Sequence, residues 1–177
     1  MMPENKEEKI INVIQGEYAI DADPNIVLTT VLGSCVAVCL TDPVAAIGGM
    51  NHFLLPQKDG KAGESFRYGA YSMELLINGL LKRGARKDRL VAKMFGGASM
   101  NSTLRDIGGS NVAFAREFLA NESIPCGGES VGGNSARRIR FWPTTGQVKQ
   151  FLVPGAVEPT PPPQPKPVRA AADITLF

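Results

Sequence analysis

The sequence holds a single histidine, a single tryptophan and only three cysteines in 177 residues. Each scarcity excludes something. Three cysteines, Cys35, Cys39 and Cys126, cannot form a paired disulfide framework. A zinc site would need His52 together with cysteines. On a strand, Cys35 and Cys39 share a face about two pleats apart, and Cys126 has no CxxC partner, so no metal site is expected. The start, "MMPENKEEKIINV", lacks the apolar core of a signal peptide. No run of about 18 apolar residues occurs, so no membrane insertion is expected. The formal net charge is only +2, and the basic residues fall in scattered pairs such as Lys82-Arg83 and Arg137-Arg138. That is too weak a field to argue for nucleic acid. The expectation is a cytoplasmic protein with reduced thiols.

What is present is ordinary globular material, 44% hydrophobic and 20% charged. Three regions are expected. Residues 1–8 are a polar, flexible start, and residues 9–153 form one folded domain of roughly 150 residues. Residues 154–177 hold more than half of the 13 prolines and should be a flexible tail of polyproline character. The tip of that tail, "DITLF", is apolar enough to dock on a partner by strand addition, or else to stay solvated.

Within the domain, "KIINVIQGEYAI" alternates as a strand that turns at Gly16. "NIVLTTVLG" and "CVAVCLTD" are β-branched runs separated by Gly33-Ser34, and "AAIGGMNHFLLP" is a further strand. A polar loop, "QKDGKAGESFR", precedes the helix "YGAYSMELLINGLLKRGA", with Tyr71, Leu75, Ile77, Leu80 and Leu81 as its expected apolar face. "RLVAKMFGG" is a strand. Asn111 is the expected N-cap of a second helix, "VAFAREFLANE". "SIPCGGESVGG" and a hairpin turning near Thr145-Gly146 complete the pattern. Strands, helix, strand, helix, strands reads as α+β with mixed sheets, not as a doubly wound fold.

Two Gly-rich stretches invite a nucleotide reading, but "GGESVGGNSAR" has Asn134 where a phosphate loop needs lysine. Their glycines serve either as turns or as backbone that comes close to a site. The remaining chemistry rests on Cys35 and His52. Cys35 follows the Gly33-Ser34 bend, where a purely structural strand gains nothing from a break. His52 lies on a later strand, and adjacent strands can bring two such side chains within reach. An imidazole can take the thiol proton, after which the thiolate attacks a carbonyl and the imidazolium protonates the leaving group. A third polar group must orient the ring, with Thr29, Thr30, Ser34 and Asn51 as nearby candidates. Backbone N–H groups of Ser34 and Cys35 could form an oxyanion hole. Cys39 reads as core.

The blocks "GEYAI", "LGSCVAVCLTDP", "GGMNHFLLP", "AKMFGGASM", "IGGSNV" and "VGGNSARRIRF" follow one another over about residues 10 to 152. In that order they resemble the CheD family, the chemoreceptor glutamine deamidases of bacterial and archaeal chemotaxis. The resemblance implies hydrolysis of selected glutamine side chains on methyl-accepting chemotaxis receptors to glutamate and ammonia, through a thioester and with no cofactor. It also implies a Cys–His–Thr triad at Cys35, His52 and Thr29. The implied fold is similar to deamidase toxins, with mixed sheets face to face and helices outside (αββα-like). Gly96, Gly97, Ser99, Gly132 and Gly133 would then line the cleft. Some family members also bind CheC, a phosphatase of the response regulator CheY, so a mainly regulatory binding role is the alternative. A thiol acyltransferase is chemically equivalent up to the thioester.

Overall fold

A computed structural model describes residues 7–56, 62–100, 106–154 and 174–177. Most of the expected flexible start, and the tail over 155–173, lie outside the described residues. The chain runs through β1 (Lys9–Asn12), β2 (Tyr18–Asp21), β3 (Ile26–Leu32), β4 (Val36–Asp42), β5 (Ile47–Asn51), α1 (Ala62–Lys82) and a short 3-10 turn (Lys87–Arg89). It continues through β6 (Val91–Gly96), α2 (Ile107–Asn121), β7 (Cys126–Val131), β8 (Ala136–Phe141), β9 (Val148–Val153) and β10 (Ile174–Leu176).

The strands form two mixed sheets of five. One has the order β1-β3-β8-β9-β10 and the other β2-β5-β4-β6-β7. Each contains one parallel pair, β1 with β3 and β6 with β7, among antiparallel neighbours. This is the α+β class with mixed sheets. The sheets stack on a core built from Ile26, Leu28, Leu32, Met50, Phe95, Ile139 and Phe141. A second core lies between the β4-containing sheet and the helices, with Val36, Val38, Leu40, Phe53, Met73, Leu76, Leu80 and Phe118. Both described helices pack on that one sheet, α1 over β5 and β2, α2 over β4 and β6. The expected helices outside the sheets are therefore found on a single side among the described residues.

Strand alternation explains how one strand serves both cores. In β4, Val36, Val38 and Leu40 face the helices, while Ala37 and Cys39 face the other sheet. All seven β4 residues are buried, so a continuous apolar run is what the position demands.

The bend at Gly33-Ser34 marks a change of sheet. β3 and β4 are consecutive but belong to different sheets. The same is true of β1 and β2, which were expected as one strand turning at Gly16, and of β7 and β8 around Gly132-Gly133.

Several local expectations are corrected. Helix α1 begins at Ala62, several residues earlier than read, because Phe66 finds an aromatic partner in Phe114 at 5.7 Å. Its buried face is Met73, Leu76, Ile77 and Leu80, an i, i+3, i+4, i+7 set, while Tyr71 is 61% exposed. Asn111 does not cap α2. Asp106 does, its Oδ1 accepting the Gly109 N–H at 2.9 Å, which frees Asn111 for the interior. From Ile174 on, the "DITLF" tip docks on its own chain. β10 pairs antiparallel with β9, Phe177 and Val148 exchange two backbone hydrogen bonds, and the Phe177 ring packs edge-on against Phe95 at 5.2 Å. The strand addition foreseen for a partner occurs within the chain, because β9 offers an open edge beside an apolar socket.

Candidate active site

Cys35 sits on the link between β3 and β4, and His52 just beyond β5. Val36 and Phe53 lock these two segments together, exchanging backbone hydrogen bonds of 3.0 and 2.9 Å. Phe53 is fully buried and meets Phe114 edge-on at 5.8 Å, so this clamp is anchored in the helix-side core. Because side chains alternate, Cys35 and His52 both point to the opposite face, as diagonal neighbours. That face looks toward β3, and Cys35 packs against the core between the sheets.

Two crossings between sheets, β3 to β4 and β7 to β8, meet the segment that follows β6 around Cys35. The Cys35 carbonyl accepts the Gly97 N–H at 2.8 Å, and the Gly33 carbonyl accepts the Ala98 N–H at 2.9 Å. The Ser99 N–H donates to the Gly133 carbonyl at 2.8 Å, and the Gly132 N–H to the Gly96 carbonyl at 2.9 Å. The buried guanidinium of Arg137 ties the last crossing down by donating to the Ser130 and Gly132 carbonyls. Asn111 joins the two halves of the site. Its Nδ2 donates to the Ser34 carbonyl at 2.8 Å, and its Oδ1 accepts the Leu55 N–H at 3.0 Å. A helix residue thereby fixes the loop of the thiol and the segment that follows the imidazole.

The Gly-rich residues named as cleft lining support the loops, and their missing side chains do not all face open space. A Cβ at Gly96 would fall 2.1 Å from the Cys35 carbonyl oxygen, so the backbone there needs glycine against the thiol's own loop. A Cβ at Gly97 would fall 2.2 Å from Val112 of α2. Glycine at 97 is thus a packing requirement against the helix. Gly132 has open space beside it, and Ser99 and Gly133 pair through their backbones.

Of the two threonines of β3, Thr30 rather than the expected Thr29 lies beside the His52 ring. The Thr30 hydroxyl lies 2.9 Å from His52 Nδ1, and the Val13 carbonyl lies 3.1 Å from the same nitrogen. Thr29 instead donates its hydroxyl to the Ile139 carbonyl at 2.8 Å. Strand parity is the reason. Ile26, Leu28 and Leu32 of β3 face the core between the sheets, so Thr30 shares their face and Thr29 points the other way. Asn51 is directed to the helix side, accepting the Val38 N–H at 3.0 Å and lying 3.2 Å from Met73 Sδ. With the Val13 carbonyl accepting, Nδ1 carries the proton and Nε2 is left as the basic nitrogen. Nε2 is buried and has no hydrogen-bond partner.

Burial sets the resting charge state. It pushes the Cys35 thiol up to about 11, the thiol's own backbone N–H pulling weakly the other way. Burial also lowers the His52 imidazole below its ordinary value, opposed by the Val13 carbonyl. Both groups are therefore neutral near pH 7. Cys39 is fully buried and its thiol is pushed up further, and Cys126 is exposed on β7. A cavity of about 180 Å³ lined by Cys39, Thr41, Lys93, Phe141 and Gly146 includes neither Cys35 nor His52. No group of three or more His, Cys, Asp or Glu residues that could hold a metal ion occurs among the described residues.

A neutral thiol, an imidazole held through Nδ1, and an unpartnered Nε2, set where two stacked mixed sheets exchange strands, make up the candidate site. The chain belongs to the CheD family. The family model described as CheD chemotactic sensory transduction matches residues 54–150. A Caulobacter vibrioides protein named probable chemoreceptor glutamine deamidase CheD is 55% identical over 175 residues, covering 94% of this chain and 92% of its own. Proteins of the same name from Agrobacterium fabrum and Rhizobium leguminosarum are 51% and 50% identical, covering 96% and 98% of this chain and 97% and 100% of their own. Among solved structures, the Bacillus licheniformis hypothetical protein YfiH matches at a TM-score of 0.43 and 17% identity. That match covers 70% of this chain and 60% of YfiH, less than two thirds of its length. No helix among the described residues is long and apolar enough to cross a membrane.

Two contributors carry no mark in the sequence. Gln15 lies with Oε1 at 3.5 Å from Cys35 Sγ, and Val13 reaches His52 through its carbonyl. Neither has a motif, because one acts through the backbone and the other through a turn that only the two-sheet stack brings over the thiol.

Proposed function

We propose that this protein hydrolyses the side-chain carboxamide of selected glutamines on chemotaxis receptors, releasing ammonia and leaving glutamate. The relatives named above act on chemoreceptor glutamines according to their names, and half or more of this chain is identical to theirs. The observation that carries the reading onto residues is His52: held through Nδ1, with a buried and unpartnered Nε2, on the face it shares with Cys35.

In the proposed route the resting pair is neutral. As the substrate carboxamide arrives, Cys35 Sγ gives its proton to His52 Nε2 and attacks the amide carbon. The carbonyl electron pair moves to oxygen, and the Cys35 N–H lies at hand to stabilise it. The imidazolium then protonates the amide nitrogen, and ammonia leaves. A thioester remains on Cys35. Water deprotonated by His52 attacks it, releasing glutamate and restoring the thiol. Thr30 and the Val13 carbonyl keep the ring in one tautomer throughout. Each step uses groups of this chain and water. The receptor's cytoplasmic part is the substrate, so the enzyme works on the cytoplasmic side.

The test is incubation with receptor cytoplasmic fragments, with ammonia release and peptide mass read together. Wild type should raise the mass by about one dalton at particular glutamines, and Cys35→Ala should not. Deamidation that survives Cys35→Ala would sink the mechanism. Incorporation of an added amine in place of water would make the protein an acyltransferase.

A further inference from the structure

We infer that Gln15 is a catalytic residue, the side-chain donor of the oxyanion hole that serves Cys35. The inference rests on the reading of Cys35 as nucleophile. An acyl transfer at sulfur builds negative charge on the former carbonyl oxygen, and hydrogen-bond donors aimed at that position supply much of the rate. The Cys35 N–H is one donor, beside its own sulfur. Among the described residues, the side chain hydrogen-bonded to Sγ is the Gln15 carboxamide, with Oε1 at 3.5 Å.

The backbone on both sides of Gln15 is tied to His52 and its neighbours. Before it, the Val13 N–H donates to the Thr29 carbonyl at 2.9 Å and the Val13 carbonyl meets His52 Nδ1. After it, the Gly16 N–H donates to the His52 carbonyl at 2.8 Å, and the His52 N–H donates to the Glu17 carbonyl at 3.1 Å. The turn itself closes through the Glu17 N–H and the Ile14 carbonyl at 3.0 Å. One short turn thus holds the imidazole in place and presents a carboxamide to the thiol. The Gln15 side chain is exposed, so nothing in the core explains its position.

A carboxamide carries an acceptor and two donors on one rotatable fork. In the resting state its oxygen accepts from the thiol. Once the thiol proton has passed to His52, that acceptor has no donor to meet. Rotation of the fork then presents Nε2–H to the oxyanion forming on the carbon bound to Sγ. The C=O electron pair goes to the oxygen, the new bond is C–S, and Gln15 neither gains nor loses a proton.

The experiment compares wild type, Gln15→Ala, Gln15→Glu and Cys35→Ala, all as the full chain. Ammonia release from a small glutamine peptide gives kcat and KM, and iodoacetamide labelling of Cys35, read by peptide mass, gives thiol reactivity. Gln15→Ala should lower kcat by about a hundredfold with KM and the melting temperature nearly unchanged. Its alkylation rate should stay at the wild-type value, because alkylation builds no oxyanion. Gln15→Glu should lose more, having replaced a donor by a negative charge. An unchanged kcat in Gln15→Ala overturns the inference. So does an increase, which would mean that the carboxamide blocks the substrate's place. Equal losses in hydrolysis and alkylation also overturn it, since Gln15 would then act on the thiol. If Cys35→Ala stays active, the proposed nucleophile itself fails. If Cys35→Ala is dead and Gln15→Ala is normal, only the role of Gln15 falls.

Discussion

The two ends of β4 treat buried polar groups in opposite ways. At its far end, Asp42 is completely buried, and every demand of its carboxylate is met. It accepts backbone N–H groups of Val44 and Ala45 at 3.0 Å and of Arg86 at 2.9 Å, and it pairs with the Arg89 guanidinium at 2.9 Å. Burial opposes its ionisation, but these bonds win and hold the carboxyl down to about 2. At the near end, burial also pushes Cys35 and His52, and it outweighs the single backbone bond that opposes it at each group. Both stay neutral, and His52 Nε2 has no partner. A satisfied buried charge rigidifies a fold, while an unsatisfied buried base is available for chemistry. One seven-residue strand thus separates a structural polar site from the candidate active site.

This contrast can be broken by mutation. The largest effect is expected at the end that holds Cys35 and His52. Cys35→Ala and His52→Ala should each cut deamidation by at least about a thousandfold while leaving the melting curve near wild type. A large loss of stability in either would mean that this end too is structural. Asp42→Asn should do the reverse. It leaves Arg89 facing a neutral amide and should cost about 3 kcal/mol in denaturant unfolding, with kcat of the folded fraction retained. The wild-type contribution of Asp42 is present above the ordinary carboxylate range and is lost as pH falls toward 2.

A finer cut separates the two threonines of β3. Thr30→Val should lower kcat about tenfold by loosening the His52 ring. Thr29→Val should cost about 1 kcal/mol of stability through the lost bond to Ile139 and leave kcat alone. The opposite pattern would return the orienting role to Thr29.

The smallest effect is read in pH. The fold favours the protonated Cys35 thiol, so its contribution is whole below pH 9.0 and is lost as pH rises to about 11. Wild type should therefore lose about 2 kcal/mol more than Cys35→Ala over that window in urea titrations. His52 is lowered, so its neutral form persists below its ordinary value, and the acid limb of kcat/KM should fall below pH 6.5. A limb above that value would mean that substrate or a carboxylate raises the imidazole.

Much of this was legible in the chain. The β-branched runs marked β3 and β4, and the lone histidine left one imidazole for any acid–base chemistry. The Gly33-Ser34 break singled out Cys35 over Cys39. The family blocks covered nearly the whole folded part. Less legible was the face of α1, because Tyr71 and Leu75 are apolar enough to mimic a buried stripe although Met73 and Leu76 are the residues that pack. The Asn111 assignment missed for a similar reason. Asparagine favours both caps and buried bridging, and only the position of α2 over Ser34 and Leu55 selects between them.

What the sequence alone determined is the chemical inventory: one thiol after a bend, one imidazole, and strands and helices whose patterns follow from burial on one face or two. Only the tertiary structure decided which groups meet. The change of sheet at Gly33-Ser34 puts Cys35 on the face that His52 shares, strand parity sets Thr30 beside the ring, and the β1–β2 turn brings Gln15 to the sulfur. Local pattern specifies which way a side chain points within its own strand. The partner across the gap depends on how two sheets stack, and that is set by contacts far apart in the chain.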